Sequence, residues 1–138
     1  MIEFFSQTNF KIQDPESLIF WISDTISQEN HKLGDLSYVF CDDDYLHKLN
    51  VKFLNHDTLT AIISFDNSLG KQINGEIYIS VDRVKENAEF YNVVFLEELH
   101  RVIIHGVLHF CGYKDKSKQQ QELMTQKENE ALERRTFV

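Results

Sequence analysis

Apolar residues along the chain fall into short β-prone runs and longer runs at helical spacing, and their alternation predicts an element order. Ile2–Ser6 is a first strand. Asp14-Pro15-Glu16 reads as N-cap, first-turn proline and first-turn acid of a helix to about Gln28, in which Leu18, Ile19, Trp21, Ile22 and Ile26 recur at helical spacing. Leu36–Cys41 is a second strand. Asp42-Asp43-Asp44 ends it and supplies acids to the start of a helix from Asp43 to Leu54, with Leu46, Leu49, Asn50 and Phe53 along one side. Thr60–Asp66 and Gly75–Val81 flank the turn residues Asn67-Ser68-Leu69-Gly70 and predict a β-hairpin. Asp82 is the expected cap of a helix from Arg83 to about Tyr91. Asn92 is the expected cap of a central helix that continues through Phe110, and apolar residues almost encircle it, which predicts burial against both sheet and helices. Ser117-Lys118-Gln119-Gln120 is a capping box opening a last, charge-rich helix to about Arg134, read as a largely solvated face. The order predicts an α+β fold, a single mixed sheet of about four strands packed with about five helices. The hairpin excludes a purely parallel, doubly wound sheet.

Length and composition narrow the setting. A chain of 138 residues predicts one domain, 1–138, large enough for a hydrophobic core without staples. One proline and five glycines leave no flexible low-complexity linker. The N-terminal residues lack a basic region followed by a long apolar run, and no stretch is long and apolar enough for a membrane span. Cys41 and Cys111 are too few for a disulfide framework and fit a reducing interior, so a cytoplasmic protein is expected. The net charge of −8 disfavours indiscriminate nucleic-acid binding; an RNA contact would need a local positive patch.

The chemistry concentrates in HGVLHFCGYKD, His105 to Asp115. A spacing of four on a helix turns a side chain by only about 40°, so His105 and His109 project from one face. Gly112 can end the helix in a left-handed conformation, which returns Asp115 toward the same point. Zinc accepts imidazole nitrogen and carboxylate oxygen, and three protein ligands leave a fourth position for water. The offsets match the metzincin template HExxHxxGxxH, with Gly106 in place of the general-base glutamate and Asp115 in place of the third histidine. The metal therefore fits and peptide hydrolysis does not.

The remaining chemistry-bearing residues have plainer readings. His31, His47, His56 and His100 show no ligand spacing among themselves and read as surface or packing residues. Trp21 reads as core, and Cys111, two residues past His109, as a small buried hydrophobe. Arg101 and Glu98 lie one and two turns before His105; surface pairing is their ordinary reading, and a partner for a ligand histidine is the other. Lys114, Lys116 and Lys118 flank the third ligand; such a run is ordinarily a solvated loop, and beside a metal it can also contact RNA phosphates.

These residues carry a family resemblance. HGVLHFCGYKD resembles the HGxLHLxGYDH signature of the YbeY family, bacterial metal-dependent endoribonucleases of ribosomal RNA maturation. Leu49-Asn50…Phe53 followed by Thr60–Phe65 resembles the family's LNxxYR…TDVLSF, and Gly75-Glu76-Ile77 its GDI. Three positions depart from it: the third metal-binding histidine falls on Asp115, the arginine of YR on Leu54 and the aspartate of TDVLSF on Ala61. The resemblance implies a zincin-like metal-binding helix that holds one zinc ion. It implies a single-strand-specific endoribonuclease acting in 16S rRNA 3′-end maturation and 70S ribosome quality control, with rRNA and ribosome-associated proteins as partners and no membrane or DNA. The base is unassigned, and the substrate's own 2′-hydroxyl is one nucleophile. Two rivals stand beside this reading: a non-catalytic ribosome assembly factor with a structural zinc, and a metzincin-like peptidase.

Overall fold

A computed structural model describes residues 1–54 and 60–138. In chain order the elements are β1 (Ile2–Ser6), α1 (Pro15–Gln28), β2 (Lys32–Cys41), α2 (Asp43–Leu54), β3 (Ile62–Asp66), β4 (Gln72–Ser80), α3 (Val81–Tyr91), α4 (Phe95–Phe110) and α5 (Lys118–Glu133). The four strands form one sheet in the order β1-β2-β4-β3. β1, β2 and β4 run parallel, and β3 pairs antiparallel with β4 at the edge. This is the predicted mixed α+β sheet with five helices.

Side chains of period two sort the sheet into two faces. Leu36, Tyr38 and Phe40 of β2 and Ile73, Ile77 and Ile79 of β4 join one large core with Trp21, Ile22, Leu99, Ile103 and Val107. The opposite face holds a smaller cluster, Cys41, Leu46 and Ile63, beneath α2. Two buried donors tie the layers together. Tyr38 donates its hydroxyl hydrogen to the Ile103 carbonyl at 3.0 Å, and the Trp21 indole donates to Ala131 at 2.8 Å. α4 is thus gripped by the sheet on one side and by helices on the other, as its encircling apolar residues predict. Among the described residues no helix is long and apolar enough to cross a membrane.

Several boundaries differ from the sequence expectation, each for a local reason. β2 begins at Lys32 and β4 at Gln72, because Lys32 and Leu33 pair with Gln72 and Ile73 across a register shift. The Asn74 side chain accepts the Asp35 backbone N–H at 2.8 Å at that irregularity. Lysine, glycine and aspartate there read as loop, and the pairing is supplied by the neighbour strand. Ser80, not Asp82, caps α3, accepting from the Arg83 N–H at 3.1 Å. Asp82 instead accepts from the Asp43 N–H at 3.1 Å. Asn92 closes α3 with φ 57°, while α4 starts after Val94 without a side-chain cap. Asparagine tolerates the left-handed region, so it serves a helix end as readily as a helix start. The acids at the start of α2 do cap: Asp42 accepts from the Tyr45 N–H at 2.8 Å, and Asp43 pairs with Arg83 at 2.9 Å. The α5 capping box forms as read, but the helix is not solvated all round, since Met124, Glu128, Ala131 and Leu132 make a buried stripe.

Candidate metal centre

His105 and His109 occupy successive turns of α4, with ring centroids 4.6 Å apart. The helix closes at Cys111, and Gly112 takes φ 106°, a value only glycine adopts cheaply. The Tyr113 N–H returns to the Leu108 carbonyl at 3.1 Å, which fixes the reversal. Asp115 then arrives with Oδ2 at 3.3 Å from Nε2 of both His105 and His109. One ligand atom from each residue lies within 4.8 Å of the others, and among the described residues this is the one group of three that could hold a metal ion. A tetrahedral ion with bonds of about 2.0–2.1 Å needs its ligand atoms about 3.3 Å apart. The two carboxylate–imidazole separations meet that requirement, and two neutral imidazoles with one carboxylate suit zinc.

Beyond the three ligand-capable residues lies a partner that sequence reading missed. Glu128 of α5 brings Oε2 to 2.6 Å from His105 Nδ1, so the ring donates there and its Nε2 lone pair faces Asp115. Oε1 of the same carboxylate pairs with Arg101 Nη1 at 2.9 Å, and Arg101 Nη2 donates to Asn129 Oδ1 at 2.7 Å. Arg101 therefore acts on His105 through Glu128, one step further out than its helical position implies. Glu98 makes no hydrogen bond to the histidine; burial raises its carboxyl pKa, Arg101 opposes that shift and Glu128 adds to it. Glu128 falls on the buried stripe Met124, Glu128, Ala131, Leu132, where a carboxylate needs a partner, but that burial shows only once α5 is packed against α4.

A cleft of about 590 Å³ opens over the ligand-capable residues, walled by Ile62, Ser64 and Asp66 of edge strand β3 and by Leu54, Phe110 and Lys116. Lys116 reaches this wall. Lys114 and Lys118 are exposed but do not line it. Leu54 presents an apolar side chain where the family pattern has arginine. Ala61 stays outside the lining, its carbonyl accepting the Ser80 N–H at 2.9 Å. Cys111 packs against the main core, outside the group of residues that could hold an ion, and burial pushes its thiol up to about 12. Cys41 is likewise buried and pushed up to about 12. His31 bonds the Glu29 carbonyl at 2.6 Å, and His100 is buried between Trp21 and Phe137; His56 lies outside the described residues. A Cβ at Gly106 would meet Ile77 Cδ1 at 2.8 Å and Ile62 Cδ1 at 3.1 Å, so the position that holds the peptidase glutamate faces packed core here.

Fold and site together define a mixed sheet that carries a helix whose two histidines, with Asp115, could hold a metal ion, without the peptidase base. Comparison with known proteins gives the family. The profile described as Endoribonuclease YbeY matches residues 3–136. A relative named Endoribonuclease YbeY from Christiangramia forsetii is 53% identical over 131 residues, covering 95% of this chain and 92% of its own. One from Flavobacterium johnsoniae is 52% identical over 132 residues, covering 96% and 95%. The solution structure of TM1509 from Thermotoga maritima superposes with a TM-score of 0.66 at 25% identity, covering 96% of this chain and 90% of that one. The chain belongs to the YbeY family.

Proposed function

We propose that the chain is a zinc-dependent endoribonuclease that cuts single-stranded RNA, working as a single cytoplasmic domain in 16S rRNA 3′-end maturation and 70S ribosome quality control. The observation that carries this reading is the convergence of His105, His109 and Asp115 beneath an open cleft, in a chain whose relatives bear the name endoribonuclease. His105, His109 and Asp115 would hold one zinc ion, which supplies Lewis acidity toward water and a phosphoryl oxygen. Glu128 keeps His105 in the tautomer that presents Nε2. Leu54, Ile62 and Phe110 make an apolar wall that lowers the local dielectric, which strengthens electrostatic contacts to the scissile phosphate. Lys116 lies on the same cleft and offers that phosphate a cation, with Lys114 and Lys118 further along the loop. Ribosomal RNA and ribosome-associated proteins are the partners this role requires.

A second reading, a ribosome assembly factor with a structural zinc, draws on Leu54, which places no cation where the family pattern has one. Purified protein incubated with single-stranded RNA, duplex RNA and casein separates the readings. Only the single strand should be cut; chelation should stop the cutting and added zinc restore it, and His109→Ala should be inactive. Zinc binding without cleavage would favour the assembly role. Cleavage that survives both chelation and His109→Ala would reject the metal-dependent reading, and casein hydrolysis would overturn the substrate.

A further inference from the structure

α4 carries one more carboxylate on the face of its histidines. Glu98 is only 7% exposed, yet no hydrogen bond or ion pair holds its side chain among the described residues. Its neighbours are already engaged. Glu97 pairs with Arg135 at 2.8 Å, Glu128 holds His105 and Arg101, and Arg101 divides its guanidinium between Glu128 and Asn129. Its oxygens are not sealed in, because they are not among the buried side-chain atoms left without a partner; they open onto the hollows beside α4, where a ligand entering must replace their water with donors of its own.

The space beside it adjoins the metal centre. A hollow of about 180 Å³ is lined by Glu98, Arg101, Val102 and Glu128, and by Ile62 and His105, which it shares with the metal-centre cleft. A second hollow of about 490 Å³ shares Glu98, Arg101 and Glu128 with the first and opens past Tyr91 and Val93. The groove so formed follows α4 for about 10 Å from His105 to Glu98, from seven residues at a rise of about 1.5 Å. A strand of RNA engaged at the histidines reaches Glu98 within a nucleotide or so of the cut.

The lining selects what enters. Glu97, Glu98 and Glu128 repel phosphate, so the occupant must offer N–H groups rather than an anion. Tyr91, 63% exposed, and Val93 offer a ring and an apolar edge to a flat group. Guanine alone among the four bases presents two donors side by side, N1–H and N2–H, which match the two oxygens of one carboxylate. Adenine and cytosine place an acceptor beside the amine, and uracil flanks one N–H with two carbonyls. We propose that Glu98 forms a guanine-reading pocket next to the metal centre, so that the enzyme cuts single-stranded RNA at a fixed offset from a guanine. This inference rests on the ribonuclease reading.

The test maps cleavage by the zinc-loaded full chain on a pool of single-stranded RNAs, then repeats it with one guanine replaced by inosine, which lacks the N2 amine. Cuts should share a guanine at one offset, and inosine there should lower kcat/KM by about tenfold or more. Glu98→Gln should bring guanine and inosine within twofold of each other, with zinc content unchanged. Zinc-dependent cutting with no shared guanine, or a guanine preference that Glu98→Gln leaves intact, overturns the pocket while leaving the ribonuclease standing. Absence of zinc-dependent cutting removes both. An arginine guanidinium also presents paired N–H groups, and inhibition of cutting by an arginine-rich peptide, lost in Glu98→Ala and without any guanine dependence, would assign the groove to a protein partner and overturn the proposal. The inosine comparison uses the unmodified chain, so it decides even where a Glu98 variant folds poorly.

Discussion

Removing the Glu128 carboxylate tests the metal centre from the side that touches no ion. Glu128→Ala deletes a 2.6 Å contact to His105 Nδ1 and a 2.9 Å pair with Arg101, at a side chain 9% exposed. A charge-assisted hydrogen bond contributes about 1.5–3 kcal/mol, and loss of the group orienting a ligand histidine weakens metal affinity about 10–100-fold. That factor corresponds to about 1.4–2.7 kcal/mol, so the His105 contact alone accounts for it. Arg101 loses this partner but keeps Asn129, and its side chain is 30% exposed and reaches water. The cost to the fold should therefore be about 1–3 kcal/mol, below the 3–5 of a fully buried broken pair. Glu128→Gln keeps an oxygen acceptor for Nδ1–H and should lose only a few-fold in affinity. Zinc competition against a chromophoric chelator reads the site, and urea denaturation of the metal-free protein reads the fold separately. If Glu128→Ala binds zinc as tightly as the parent, the orienting role is wrong. If Gln weakens binding as much as Ala, charge rather than the hydrogen bond sets affinity.

Three further outcomes are expected. Asp115→Ala should lose bound zinc while Asp115→His keeps it, by mass spectrometry after dialysis with Lys116→Ala as control; full occupancy in Asp115→Ala would place the third ligand elsewhere. Neutralising Lys114, Lys116 and Lys118 together should weaken RNA binding and flatten its salt dependence without altering metal content, and an unchanged salt slope would return them to solvated loop residues. His100 is buried beside Arg135 and its pKa is lowered to about 4, burial contributing most and the guanidinium next. Unfolded chains protonate this ring near 6.5, so the folded state should lose up to about 3 kcal/mol as pH falls from 6.5 toward 4, and His100→Gln should lack that part of the slope in urea titrations.

The parts of the site that sequence makes legible are those built within one helix and its exit. His105 and His109 follow from a four-residue spacing, and Asp115 follows from Gly112 and a short loop, because local geometry alone brings them together. Glu128 required knowing that α5 packs against α4, a contact between residues 23 apart that no spacing rule contains. The charge-rich composition of α5 hid its buried stripe, since Glu128 counts as polar in any pattern yet occupies a core position. The strand order was likewise beyond periodicity. The hairpin of β3 and β4 is local, but the insertion of β4 beside β2 is set by the crossover of the chain, and it lengthens β2 into residues that read as loop. The cap of α3 differed for a third reason, while Asp14 and Ser117 cap α1 and α5 as read. Ser80 and Asp82 both suit an N-cap and both engage Asp43: the Ser80 hydroxyl donates to its Oδ1 at 2.7 Å while accepting the Arg83 N–H, and Asp82 accepts the Asp43 N–H.

The absent peptidase base and the acidic surface then fall under one account. Gly106 faces Ile77 and Ile62, and this close approach of α4 to the sheet brings His105 beside the Ile62 wall of the cleft. A glutamate there would carry a charge into packed core, so the helix cannot both sit this close to the sheet and supply a base from that position. The cleft must draw its remaining polar groups from its rim: Ser64 and Asp66 of β3 and Lys116 past the turn. A net charge of −8 is no obstacle to an RNA held this way. Under the proposed reading the phosphate would meet Lys116 on the Asp115 loop, while the carboxylates along α4 face a groove where base edges, not phosphates, would lie. On that same reading, histidines toward the cleft and glutamates toward the groove would divide the labour along one helix, and that division would let an acidic chain take a polyanion as substrate.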